Sequence, residues 1–121
     1  MKSTTKSIGD MGESAVCRYL KIRGWRILTR NYRVKGGEID IVARRLGVTA
    51  FIEVKTRSAA YTEIYGRPSD AVDEEKKRHF RYAVKRYVSK SDERILRPRI
   101  DVAEVLTDGS RIKINYIKDA F

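Results

Sequence analysis

Asp40 and Glu53, with twelve residues between them and Lys55 two positions on, set two carboxylates and an ammonium group in apolar, strand-like surroundings. Side chains alternate across a strand, so Glu53 and Lys55 share one face while Ile52 and Val54 turn the other way, into a core. In Glu38-Ile39-Asp40-Ile41-Val42 the same alternation predicts that Ile39 and Ile41 are buried together, with Asp40 on the opposite face beside Glu38. Pairing of the two strands brings the acids together. Converging carboxylates repel unless a cation lies between them, and hard oxygen donors of this kind suit Mg2+ or Mn2+ rather than zinc.

Such a group fits the hydrolysis of a phosphodiester. Attack by water builds negative charge around phosphorus and on the leaving oxygen, so a catalyst must hold positive charge there in advance. A divalent ion on Asp40 and Glu53 supplies it, and Lys55 adds a point charge that neutralises the phosphate or holds the attacking water. The duller alternative is that Glu38 and Asp40 are solvated outer positions of a hairpin, and that Glu53 with Lys55 is an exposed ion pair worth under about 1 kcal/mol.

The elements that must position these groups are legible in the spacing. Ile8, Met11, Ala15, Val16, Tyr19 and Leu20 recur with helical period, predicting a helix from about Ser7 to Arg23 that Gly24 stops. Trp25 to Arg33, Glu38 to Arg44 and Thr49 to Thr56 read as three strands joined by turns at Lys35-Gly36-Gly37-Glu38 and Leu46-Gly47-Val48, an antiparallel meander. Arg57 to Pro68 reads as a long surface loop able to close over substrate. Ser69 caps a second helix, with Asp70, Asp73, Glu74 and Glu75 at its positive end and a buried stripe of Val72, Phe80, Ala83, Val84, Tyr87 and Val88. Ile100 to Val105 and then Ile112, Ile114 and Tyr116 give two further strands around a turn at Thr107-Asp108-Gly109-Ser110. The predicted fold is α/β (α+β) in the order α-β-β-β-α-β-β, one domain over residues 1–121 with a central mixed sheet flanked by helices.

Charge narrows the partner. The chain has 27 Lys and Arg against 16 Asp and Glu, a net +11, and a surface this basic matches a polyanion. Nucleic acid is the leading candidate, because neutralising phosphates releases condensed counterions. An anionic membrane surface is disfavoured, since no basic amphipathic segment carries a Trp- or Phe-rich face. Arg57 continues the face of Lys55 and Lys76 lies near the buried line of the second helix; with Arg33 and Lys35 beside the first turn they are the expected phosphate contacts. Solvated or snorkelling roles compete for Arg57 and Lys76. The single Cys17 falls in the first helix as a small core residue and excludes an internal disulfide. The absence of a hydrophobic leader or a spanning stretch points to a cytoplasmic address. His79 is the one histidine, which excludes paired-histidine chemistry. Asp101, following Arg99, is expected in a structural ion pair, and Glu104 and Asp108 at the surface.

Gly12-Glu13, Arg30-Asn31-Tyr32-Arg33, Gly37-Glu38-Ile39-Asp40, Phe51-Ile52-Glu53-Val54-Lys55-Thr56-Arg57, Gly66 with Pro68, Ala71-Val72 and Arg99-Ile100-Asp101-Val102 occur in an order and spacing that together carry a resemblance no single one of them would. The chain resembles the PD-(D/E)xK superfamily, whose core is restriction-endonuclease-like. More closely, it resembles the YraN family of small bacterial proteins, likened to archaeal Holliday-junction resolvases. The superfamily's proline before the first aspartate is replaced by Ile39. The resemblance implies a nuclease core with Asp40 and Glu53 as metal ligands, Lys55 near the scissile phosphate, and Glu13 as an accessory acid in the first helix. It implies a metal-dependent nuclease for DNA, branched or structured DNA included, with Mg2+ or Mn2+ as cofactor. A domain with one site cuts one strand, so symmetric cutting requires a homodimer. The alternative is a nucleic-acid-binding module that keeps the fold without the chemistry.

Overall fold

The computed structural model describes residues 4–58, 74–91, 94–95, 97–108 and 110–121. Its elements are helix α1 (Thr4–Ile22), strands β1 (Arg26–Val34), β2 (Gly37–Arg45) and β3 (Val48–Ser58), helix α2 (Glu74–Lys90), and strands β4 (Pro98–Thr107) and β5 (Ile112–Ile117). The order is the one the spacing predicts. Helix α1 stops where the chain turns left-handed at Gly24 (φ +88°). Trp25 N–H donates to Leu20 C=O and Gly24 N–H to Lys21 C=O, at 3.0 and 3.1 Å, which closes the last turn. Leu46 and Gly47 both have positive φ (+49° and +81°), the two-residue turn whose twist suits a tight hairpin.

The five strands form one sheet in the order β1-β2-β3-β4-β5. The first three are antiparallel, β4 lies parallel to β3, and β5 returns antiparallel at the edge. A parallel neighbour needs a crossover, and α2 lies within it. The helices cover opposite faces. Val16, Cys17 and Leu20 of α1 pack on Ile41, Ala43, Ala50, Ile52, Ala103 and Val105. Phe80 and Ala83 of α2 pack on Ile39, Val42 and Phe51. Among the described residues no helix is long and apolar enough to cross a membrane.

The packing corrects one expectation at the centre of the molecule. Ile39 belongs to the α2 face and Ile41 to the α1 face, so they are not buried together. Between the pairs Arg30↔Ile41 and Tyr32↔Ile39 stand Asn31, in the left-handed region at φ +54°, and Asp40. Both strands reverse their facing at this step, so alternation fails while register survives.

Other differences are local. Val88 is exposed rather than part of the buried stripe of α2, and Glu104, expected at the surface, is only 1% exposed. Arg57 belongs to β3, which runs on to Ser58. The remainder of the expected loop to Pro68, the Ser69 cap, Asp70, Ala71-Val72 and Asp73 lie outside the described residues.

Candidate active site at the β2–β3 fork

The β2–β3 ladder runs from Arg45↔Val48 to Ile41↔Ile52 and ends there. One residue further on, Asp40 Oδ2 accepts the Val54 backbone N–H at 2.8 Å, so a side-chain carboxyl takes the place of a ladder carbonyl. Glu53, next in the chain to Val54, stands near enough for its carboxylate to repel that of Asp40. Lys55 Nζ lies 2.8 Å from Glu53 Oε1, and only 9% of its side chain is exposed. The change of facing at Asp40 is what aims its carboxyl into the gap between the strands, toward the face that carries Glu53.

Glu13 approaches from the other side. Helix α1 comes so close to β3 that a Cβ on Gly12 would overlap the Thr56 side chain, and this contact sets the position of its neighbour Glu13. Glu13 Oε1 is 3.7 Å from Arg30 Nη2 and is buried without a hydrogen-bond partner. Burial raises the Glu13 pKa, with Arg30 opposing. Burial, then the neighbouring Glu53 carboxylate, push Asp40 up to about 8; the Val54 N–H acts against this, and Glu13 adds a smaller repulsion.

Glu53 and Lys55 open into a cleft of about 420 Å3 on the α2 face, walled also by Glu38, Arg33, Lys76 and His79. Helix α2 borders it tightly: a Cβ on Gly37 would meet the His79 carbonyl oxygen, a contact with backbone that cannot swing aside. Of the four expected phosphate contacts, Arg33 and Lys76 line this cleft and Arg57 and Lys35 do not. Arg33 pairs with Glu38 at 3.4 Å. Arg57 Nη1 donates to the Thr56 carbonyl at 2.9 Å, and Lys35 is exposed in the hairpin turn. Asp40 and Glu13 lie off the cleft wall.

Two residues were not singled out for the site by sequence reasoning. His79 reads as a helix-surface residue and is exposed on α2, where it also lines the cleft. Glu104 is the β4 partner of Lys55 and is bonded by Asn115 Nδ2, so a further buried carboxylate adjoins the lysine. The alternating pattern of β4 marks Glu104 for one face of the sheet, but nothing in the sequence shows that this face is covered. Among the described residues no three ligating side chains gather tightly enough to hold a metal by themselves. Mg2+ is commonly held by one or two carboxylates with water and substrate phosphate completing its shell, and Asp40 with Glu53 fits that smaller requirement.

The family description "Uncharacterised protein family UPF0102" matches residues 12–105. The chain belongs to this family. It is similar to the UPF0102 protein of Alkaliphilus metalliredigens, 39% identical over 117 residues that span 97% of this chain and 99% of the relative. The UPF0102 protein of Trichlorobacter lovleyi is 42% identical over 118 residues, covering 96% of this chain and 91% of the relative. That of Geobacter metallireducens is 38% identical over 121 residues, 100% and 97% of the two chains. The UPF0102 match contains Glu13, Asp40, Glu53 and Lys55 and ends within β4.

The buried aspartate of this UPF0102 chain gives a pH signature. An acid whose folded pKa is about 8, against an ordinary 3.8, binds more protons folded than unfolded across that window. The stability it contributes is full below the lower value and is lost as pH rises through the upper one. Without divalent metal, the melting temperature is expected to fall by on the order of 5 °C between about pH 6 and about pH 9. The Asp40→Asn variant keeps an acceptor for the Val54 N–H and is expected to lose most of that slope, as thermal melts across the range will read.

Proposed function

We propose that the chain is a metal-dependent nuclease that hydrolyses DNA phosphodiester bonds, on a restriction-endonuclease-like core related to the PD-(D/E)xK superfamily. The observation that carries this reading is the gathering of Asp40 and Glu53 at the fork of two adjacent strands, where Asp40 accepts the N–H of Val54 and Lys55 pairs with Glu53. Two acids gathered in this way are unfavourable without a proton or a cation between them. Asp40 and Glu53 would hold Mg2+ or Mn2+, with the buried oxygen of Glu13 as an accessory acid. When bound, the ion supplies Lewis acidity and a bound water of lowered pKa. Lys55, held by Glu53, presents its charge to the scissile phosphate. Arg33 and Lys76 on the cleft wall bind flanking phosphates, and Arg57 and Lys35 contact backbone further from the cut.

Branched or structured DNA is the proposed substrate class, by the likeness to resolvases. One site per chain cuts one strand, so symmetric cutting takes two copies; the free side of β5 is a candidate for their contact. The test is a cleavage assay with linear, single-stranded and four-way-junction DNA in Mg2+, Mn2+ or EDTA. Nicking that requires metal supports the enzyme. Salt-sensitive binding without cutting by pure protein in any metal would overturn it in favour of a non-catalytic binding module.

A further inference from the structure

A second cleft, of about 470 Å3, lies on the α1 face and is lined by three aromatic rings (Tyr19, Trp25, Tyr116) and four cations (Arg23, Arg45, Arg99, Lys118), with no carboxylate on its wall among the described residues. Much of this wall is fixed in place. Tyr116 stacks on Tyr19 with ring centroids 5.7 Å apart and planes 15° from parallel. Its hydroxyl donates to Asp101 Oδ2 at 2.6 Å, and Asp101 is wholly buried. The same carboxylate receives Arg99 Nε and Nη2 at 2.9 and 3.0 Å, which sets the Arg99 guanidinium 5.6 Å from the Trp25 ring. Arg23 lies over Tyr19 at 3.5 Å.

Arg45 and Lys118 have no ion-pair partner among the described residues. With Asp101 answering Arg99 alone, the remaining cations on the wall repel one another, and an anion relieves the repulsion. Aromatic rings beside them add a surface for a flat, polarisable ring. Both features meet in a nucleotide whose base is unpaired. A duplex keeps its base faces stacked on each other and would leave Trp25 unused, whereas single strands are held by base–aromatic stacking over a basic track.

We infer that this cleft binds an unpaired nucleotide of a nucleic-acid strand, the base against Trp25 and the phosphates on Arg45 and Lys118. It lies on the sheet face opposite the Glu53–Lys55 cleft, and Val48 at its wall is seven residues along β3 from Lys55, roughly 23 Å at strand rise. The inference holds whether or not that other site cuts DNA.

Trp25 is the only tryptophan, so its emission reports on this cleft. The full chain in EDTA is titrated with a ten-nucleotide single-stranded DNA, the matching RNA, an abasic DNA strand of equal length and charge, and a mononucleotide. The base-bearing strands are expected to quench Trp25 saturably by about half, with the DNA and RNA arms showing which sugar is preferred. The abasic strand is expected to quench little, and the mononucleotide to bind far more weakly than the strands. Replacing both Arg45 and Lys118 by Ala should weaken strand binding about tenfold and flatten its salt dependence. Equal quenching by the abasic strand, no saturable quench, equal affinity for the mononucleotide, or unchanged binding by the double variant would overturn the assignment.

Discussion

Replacing Glu53 by Gln, or Lys55 by Met, is expected to lower metal-dependent DNA cleavage on the order of a thousandfold in a single-turnover assay while the chain still folds. Glu53→Gln keeps an acceptor for Lys55 but loses the charge that would hold an ion. Lys55→Met keeps the length of the side chain and loses its ammonium. The second change is less innocent for folding than an exposed pair would suggest, because Lys55 is 7% exposed and 2.8 Å from Glu53. Removing it leaves a half-buried carboxylate unanswered, at a cost of about 1–3 kcal/mol. A melt of each variant separates that cost from the loss of rate. A contaminating nuclease would ignore both substitutions.

The largest effect on stability is expected at Asp101. This carboxylate is fully buried and receives Arg99, the Tyr116 hydroxyl and the Asp119 backbone N–H, the last at 2.9 Å. The network ties β4 to β5 and to the chain end, where Ala120 N–H also bonds the Ile100 carbonyl at 2.8 Å. Asp101→Ala strands the Tyr116 hydroxyl and the Asp119 N–H and leaves Arg99 without its partner, which costs about 3–5 kcal/mol. Urea denaturation should show the midpoint falling with little change in slope. Arg99 and Tyr116 also stand higher in pKa than free side chains: for Arg99 the hydrogen bond it donates to Asp101 dominates, and for Tyr116 burial comes first. A loss below about 1 kcal/mol would mean that the network is solvated and does not organise the second cleft.

How far the sequence reaches is clearest at particular residues. The element order follows from periodicity, Gly24 and the hairpin turns, all local signals that tertiary context leaves intact. The pairing of Glu53 with Lys55 follows from their shared strand face. The aim of Asp40 does not, because alternation assumes an unbroken strand, and the left-handed Asn31 across from it breaks that assumption on both strands together. Glu104 reads as a surface acid because Lys55, its neighbour across the β3–β4 pairing, comes from a strand distant in sequence. His79 joins the cleft only because Gly37 admits the α2 backbone so closely to β2. The Trp25 cleft escapes for a similar reason: its cations come from the turn after α1, from β2, from β4 and from the segment after β5, and no window of sequence contains them together. Asp101 and Cys17, by contrast, take the structural places their neighbours imply.

The most direct measurement is anomalous diffraction from crystals grown with saturating Mn2+. A manganese peak coordinated by one oxygen of Asp40 and one of Glu53, lost in the Glu53→Gln variant, is the expected result. Well-diffracting crystals with both carboxyls ordered and no manganese between them would contradict the account.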